Sequence, residues 1–405
     1  MAEPAPDRLS LRVLLLYTLA WSGGAIAYVP FLTILLPMQV TVLAGDRIAV
    51  SWLAYILFAG AVAASLGNIL FGYLSDRSGH RLGWVTLGLG ISGALLLLMA
   101  HATSFATIIV LVIAWQLGLN MMLAPLAAWA GEQVPDRQKG LLGGLLAFAP
   151  GMGGLASAVV TLPGLAAAGE RLVLVMVMVT ACVIPLLLLG PSRRLPATGS
   201  VPPDAGSSSP APGIQPERAA RARLARRMWL ARLAVQIAEA ALFSFLYLWL
   251  RRIDPTMDDF RTARVLSLVL LAAAPIALLA GHWGDRRNRP IAPLMACALV
   301  ASIALLAMAA ARSLIAAYVA YAVFGCATST FLALHSAQTL RVLPRTDRIG
   351  RDLGLFNLTN TVPSLVMPWL TLALVPYFGF SGLFVLLALL SLCAAGLLGS
   401  LRFDR

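Results

Sequence analysis

Apolar stretches of about 20 residues recur along this 405-residue chain, and a stretch of that length crosses the hydrocarbon core of a bilayer as one helix. In the first half they fall near 11–36, 50–73, 82–100, 105–130, 141–162 and 172–189. In the second they fall near 230–250, 263–281, 291–310, 314–337, 353–375 and 382–401. A backbone surrounded by lipid must satisfy its own hydrogen bonds, so each run is read as a helix. The reading is an all-α membrane protein with twelve transmembrane helices, six in each half. No water-soluble domain of this size tolerates 60% hydrophobic and 12% charged residues.

The charges set the topology. A net charge of +13 would suggest nucleic acid in a soluble protein, but here the bases sit in short loops between apolar runs, so nucleic acid is excluded as a partner. Most of the 30 Lys and Arg residues fall on the side that holds both termini and the even-numbered connections, and basic loops mark the cytoplasmic side. Both termini are therefore placed in the cytoplasm of a protein integral to the cell's inner, or plasma, membrane. Glu3 and Asp7 before a long first run argue against a cleaved signal peptide. Cys182, Cys297, Cys326 and Cys393 lie inside apolar runs without metal or disulfide spacing. No cofactor, no metal and no catalytic triad, paired carboxylates or phosphate loop is legible, so the chain is read as neither an enzyme nor an ATP-driven pump.

One loop is written twice. Gly72, Asp76, Arg77, Gly79 and Arg81 lie between the second and third runs, and Gly281, Asp285 and Arg286 repeat the order 209 positions later between the eighth and ninth. Pro135 and Pro344 keep the same interval. These residues resemble the cytoplasmic loop signature of the major facilitator superfamily, G-x-x-x-D-R-x-G-R-K in generic form. His80 departs from it, as do Asn288 and Pro290 in the second copy. The resemblance implies two pseudo-symmetric six-helix bundles with a solute site between them, alternating access, and a bracing role for Asp76 and Arg77 on the cytoplasmic side. Division follows the runs: a cytoplasmic N-terminus at 1–10, bundles at 11–190 and 230–401, and a C-terminus at 402–405. Residues 191–229 form a flexible linker, rich in Pro, Ser, Gly and Ala, that ends in Arg218, Arg221, Arg223, Arg226 and Arg227. That basic run suits either topology or contact with anionic lipid.

Ionisable or polar residues inside a span are costly and mark candidate sites. Glu239 lies near the middle of the seventh run. Removal from water disfavours the charged form of a carboxyl, which suits a group that takes up and releases a proton. Gln236 precedes it by about one turn, with Phe243 and Tyr247 following on the same face. Gln116 and Asn120 form an i, i+4 pair in the fourth run, Asn357 and Asn360 an i, i+3 pair in the eleventh, and Trp21 and Tyr28 flank Gly23-Gly24 in the first. Such amides and aromatics suit hydrogen bonding and stacking against a neutral polyhydroxylated solute, and equally suit tying helices together.

Two further stretches point in different directions. Pro150, Gly153 and Gly154 in the fifth run resemble the hinge pattern G-P-x-x-G-G of proton antiporters in the superfamily, with Ala149 in place of its first glycine. Gly350 to Pro363, with Asn357 and Asn360, resembles its sucrose and sugar-transporter branch. The resulting expectation is a monomeric secondary transporter for a small molecule, a sugar or a similar neutral polar solute, coupled to protons through Glu239. A proton-antiport drug or metabolite exporter is the alternative.

Overall fold

The computed structural model describes residues 9–146, 148–167, 169–190, 215–286, 291–342 and 349–400, and the side chains of Asp285, Asn357 and Asn360 lie outside this set. The described residues are helical apart from short connections. In chain order the helices are α1 (Leu11–Pro30), a π-helical turn (Phe31–Leu35), α2 (Leu36–Ser78), α3 (Arg81–Met99), α4 (Phe105–Gln133), α5 (Asp136–Leu146), α6 (Ala149–Val160), α7 (Arg171–Leu189), α8 (Gln215–Ile253), α9 (Asp259–Arg286), α10 (Ile291–Ala310), α11 (Leu314–Val342) and α12 (Ile349–Gly399).

Ten helical stretches among the described residues are long and apolar enough to cross a membrane. The first, Leu11–Ser78, has 68 residues. At 1.5 Å per residue it would extend about 100 Å, some three times the core thickness. Gly45, at φ 71° and ψ 160°, breaks it into two spans, and Gly379, at φ 65° and ψ −173°, does the same for α12. Only a residue without a Cβ takes this backbone at low cost. With both breaks counted, the described residues hold the expected twelve spans, α5 and α6 together making the fifth.

Local chemistry explains the remaining boundaries. The Ser10 and Ser104 hydroxyls cap α1 and α4 by accepting from the Val13 and Thr107 amides, two of the donors a helix start leaves unpaired. Pro30 has no amide hydrogen to continue the ladder, and the π turn follows directly, with the Thr33 hydroxyl donating to the Val29 carbonyl at 2.6 Å. The fifth run is interrupted between α5 and α6, and Pro150 occupies the first turn of α6, where its missing N–H costs nothing. The basic residues that end the linker belong to α8, which starts at Gln215. Ala and Arg alternate there, and both favour helix.

The chain forms two compact units. One comprises residues 9–190 together with 244–271, the other 215–243 together with 272–400. In the first, α4 packs against α2 and α3, and α1 against α6 and α7. Glycines set these approaches: a Cβ on Gly88 would collide with the Met121–Met122 backbone, and one on Gly153 would stand 2.6 Å from Val29 Cγ2. In the second unit α10 packs against α11 and α12, Ser302 donates to the Ala388 carbonyl at 2.8 Å, and Met228, Val235, Leu294, Phe331 and Leu398 form a buried core.

Candidate functional site

The first signature loop is fully built. Gly79 ends α2 in the left-handed conformation, φ 67°, and its amide donates to the Ser75 carbonyl at 3.1 Å. That reversal brings Arg81 back over the helix end. There it donates to the Ser75 hydroxyl at 2.6 Å and pairs with Asp76 and with Glu132 at the end of α4. Arg77 points elsewhere, donating to the Tyr73 hydroxyl at 3.3 Å. The loop is thus clamped to α4 by a residue 51 positions away that no local pattern identifies. Gly72 is open, with nothing near its absent Cβ. In the second copy, Gly281 stands 3.1 Å, measured from an ideal Cβ, from Leu334 Cδ2, and Arg286 is exposed. Residues 287–290, including Asn288 and Pro290, lie outside the described residues.

Inside the first unit the polar side chains form a neutral chain. Asn68 donates to Asn120 Oδ1 at 3.4 Å, and Asn120 donates to the Gln116 carbonyl at 2.9 Å. Gln116 and Asn120 are both buried, and the Asn68–Asn120 bond ties α2 to α4. Trp21 stacks on Tyr17, which also stacks on Trp129 of α4, with centroids 6.3 and 5.6 Å apart. Tyr28 is half-buried one helix turn above Gly24.

The second unit differs. Arg232, Gln236 and Glu239 occupy one stripe of α8 at spacings of four and three, each partly exposed, while Ala231, Val235, Ala238 and Leu242 around them are buried. The Arg232 Nε–H donates to Gln236 Oε1 at 3.2 Å and to Thr359 Oγ1 of α12 at 3.1 Å. From α11, the His335 Nε2 lies 2.9 Å from the Met228 carbonyl, one turn before Arg232. A carbonyl only accepts, so that nitrogen carries the hydrogen. Around this part of α8, α12 therefore supplies Thr359 and α11 supplies His335. Sequence reasoning picked out Glu239 and Gln236 and did not single out Arg232. The i, i+4, i+7 spacing was the signal that would have found it.

A third polar group lies at the opposite end of the first unit from the signature loop. Arg171, starting α7, pairs with Asp259, starting α9, and both side chains are only 14% exposed. Arg251 of α8 pairs with Asp46 at 3.7 Å and stands 5.8 Å over the Tyr247 ring. Nearby the Ser267 hydroxyl of α9 donates to the Gly154 carbonyl at 2.5 Å, in a spot where α6 and α9 nearly touch. Between α8 and α9, the Thr256 hydroxyl and amide donate to Asp254 and hold its carboxyl below the usual range. Among the described residues no cluster of three or more His, Cys, Asp or Glu is placed to hold a metal.

The sequence model described as Major Facilitator Superfamily matches residues 13–258 and 228–405. Comparison with curated proteins finds no match. Among solved structures, a bacterial homologue of the human lysosomal transporter Spinster, inward-facing and unoccupied, is 16% identical with a TM-score of 0.68, covering 98% of this chain and 96% of the other. The same homologue in its occupied state is 14% identical with a TM-score of 0.70, over 100% and 98%. The human organic anion transporter MFSD10 is 16% identical with a TM-score of 0.65, over 98% and 100%. At these identities the likeness concerns the fold.

Proposed function

The chain belongs to the Major Facilitator Superfamily and is a membrane transporter, and on that premise we propose that it moves a small polar solute by alternating access, coupled to protons through Glu239. The observation that carries this reading is the placement of Glu239 on the polar, partly exposed stripe of α8 that also carries Arg232 and Gln236. A stripe facing lipid would be apolar. A charged one with partial exposure borders water inside the membrane, where a carboxyl can load and unload a proton.

The rest of the architecture takes matching roles. Residues 11–190 and 230–401 are the moving bundles of a monomer, the linker joins them, and both termini face the cytoplasm. Asp76, Arg81 and Glu132 brace the cytoplasmic end. Arg171–Asp259, Arg251–Asp46 and Ser267–Gly154 join residues of the two sequence halves at the other end, and they release when the site opens there. Arg171 Nε and Arg251 Nε lack a hydrogen-bond partner among the described residues, which lowers the cost of that release. Pro150, Gly153 and Gly154 sit where α6 meets α1 and α9, a suitable place for bending.

The sugar reading rested on Asn357 and Asn360, whose side chains lie outside the described residues. A neutral sugar has no need of the arginine on the α8 stripe, and one of the structural relatives carries organic anion in its name. The test is accumulation in proteoliposomes with an inward and then an outward proton gradient, using sucrose, glucose and glucuronate as solutes. Gradient-dependent accumulation of one of them that Glu239→Gln loses, with counterflow exchange retained, is the expected result. Accumulation that Glu239→Gln leaves unchanged would remove the carboxyl from coupling. Driving by an outward-directed solute flux alone would favour the exporter.

A further inference from the structure

We infer that the arginine-rich start of α8 is a docking surface for anionic phospholipid headgroups, which anchor this helix at the membrane face. Membrane placement of the chain is the only premise, and the coupling role of Glu239 is not needed.

Three observations carry it. The first is length. α8 runs from Gln215 to Ile253, 39 residues, which at 1.5 Å per residue is about 58 Å, roughly twice the hydrocarbon core. The part apolar enough to cross a membrane is Arg226–Ile253, so the first turns of the helix stand outside the core. Counted along the axis from Arg226, Arg223 is about 5 Å further out, Arg221 about 8 Å and Arg218 about 12 Å. A headgroup layer is about 5 to 7 Å deep on each side, and charges act over a Debye length of about 8 to 10 Å. Arg223, Arg226 and Arg227 therefore start at headgroup level, and Arg221 and Arg218 lie within its field.

The second is the division of the helix into faces. Leu224 and Met228, one turn apart, pack into the core of the second unit with Leu294, Phe331 and Leu398. Arg226, two residues from each, is on the other side of the helix and exposed, as is Arg223. The exposed Leu230 follows them at i+4 and i+7, on the same face. One face thus passes from an exposed leucine inside the span to exposed arginines beyond it, the order in which a helix meets hydrocarbon and then headgroups.

The third is charge. Residues 215–228 hold Arg218, Arg221, Arg223, Arg226 and Arg227 against one acid, Glu217. A cluster of this size beside a span suits anionic lipid, and each guanidinium offers a planar fork to two phosphate oxygens. A topology signal needs only the number of bases. It needs neither a helix nor one side of that helix held on the core. The same helix carries Arg232, Gln236 and Glu239, so what holds its start also holds that stripe at a fixed depth.

The test uses the full chain, purified in mild detergent and stripped of lipid, with phosphatidylglycerol, phosphatidylcholine and soluble glycerol 3-phosphate as probes. Lipid bound per protein is measured by native mass spectrometry over a titration, with monodispersity checked for each variant. The variants are Arg223→Gln with Arg226→Gln, and all five arginines of the run changed to Gln. Arg252→Gln with Arg312→Gln, two exposed positions outside the run, is the control. We expect wild type to bind phosphatidylglycerol about tenfold more tightly than phosphatidylcholine, and the double variant to lose about fivefold of that affinity. The five-arginine variant should erase the preference, the control should keep it, and added salt should weaken it in wild type. A preference that is absent in wild type, survives in the five-arginine variant or is lost equally in the control overturns the inference. If the five-arginine variant aggregates, unchanged affinity in the double variant overturns it. Competition by glycerol 3-phosphate at the concentrations at which phosphatidylglycerol binds would assign the site to a soluble phosphate and overturn the lipid anchor.

Discussion

The two units place polar side chains inside their helices in opposite ways. In the first, Asn68, Asn120 and Gln116 are neutral, Asn120 bonds to Asn68 and to the Gln116 backbone carbonyl, and Asn120 and Gln116 are buried. In the second, Arg232 and Glu239 are ionisable, partly exposed and about 10 Å apart on one helix face. Neutral amides in a membrane can satisfy themselves by tying two helices together, and each such tie contributes about 0.6 kcal/mol on average. Charges cannot be satisfied so cheaply, and they persist where water, a ligand or a proton completes them. On the proposed reading, the neutral amides of the first unit serve as scaffold and the α8 stripe of the second does the work.

Exchanging Glu239 for Gln should have the largest effect, because it turns the working stripe into one like the scaffold: gradient-driven accumulation should vanish while counterflow persists. Next is Arg171→Ala. It strands Asp259 at the far end of the first unit, and breaking a mostly buried pair costs about 3 kcal/mol. Thermal unfolding in detergent should show the loss, and the reversed pair Arg171→Asp with Asp259→Arg should recover part of it. Recovery would establish that the charges of the first unit serve as a clasp. A smaller cost, about 2 kcal/mol, is expected for Gly88→Ala, since its Cβ meets the α4 backbone and the helices must separate. The smallest is Asn120→Ala, about 1 kcal/mol of stability with turnover within about twofold of wild type. A collapse of transport in Asn120→Ala would erase the contrast between the units.

Much of this was legible in the sequence. Apolar runs fix the spans because bilayer thickness leaves little freedom of length, and Gly79 of the signature loop takes the left-handed turn that ends α2. Glu239 stood out because an acid in a span is rare. The partners were not legible. Glu132 lies 51 residues from Arg81, Asp259 88 from Arg171, and Thr359 127 from Arg232, and one sequence carries no sign of contacts closed over such distances. Arg232 was hidden differently. It lies five positions after Arg227, the last of the basic run, and a base near the start of a span carries no sign in sequence of whether its side chain turns inward.

The most direct test of the account compares two modes of transport in the same proteoliposomes, using whichever of sucrose, glucose and glucuronate accumulates. Proton-gradient-driven accumulation and gradient-free counterflow are measured for wild type and Glu239→Gln. The account predicts that the variant keeps counterflow and loses accumulation altogether. A variant that still accumulates solute to the wild-type level would show that the proton enters elsewhere, and the charged stripe of α8 would lose its role as the coupling site.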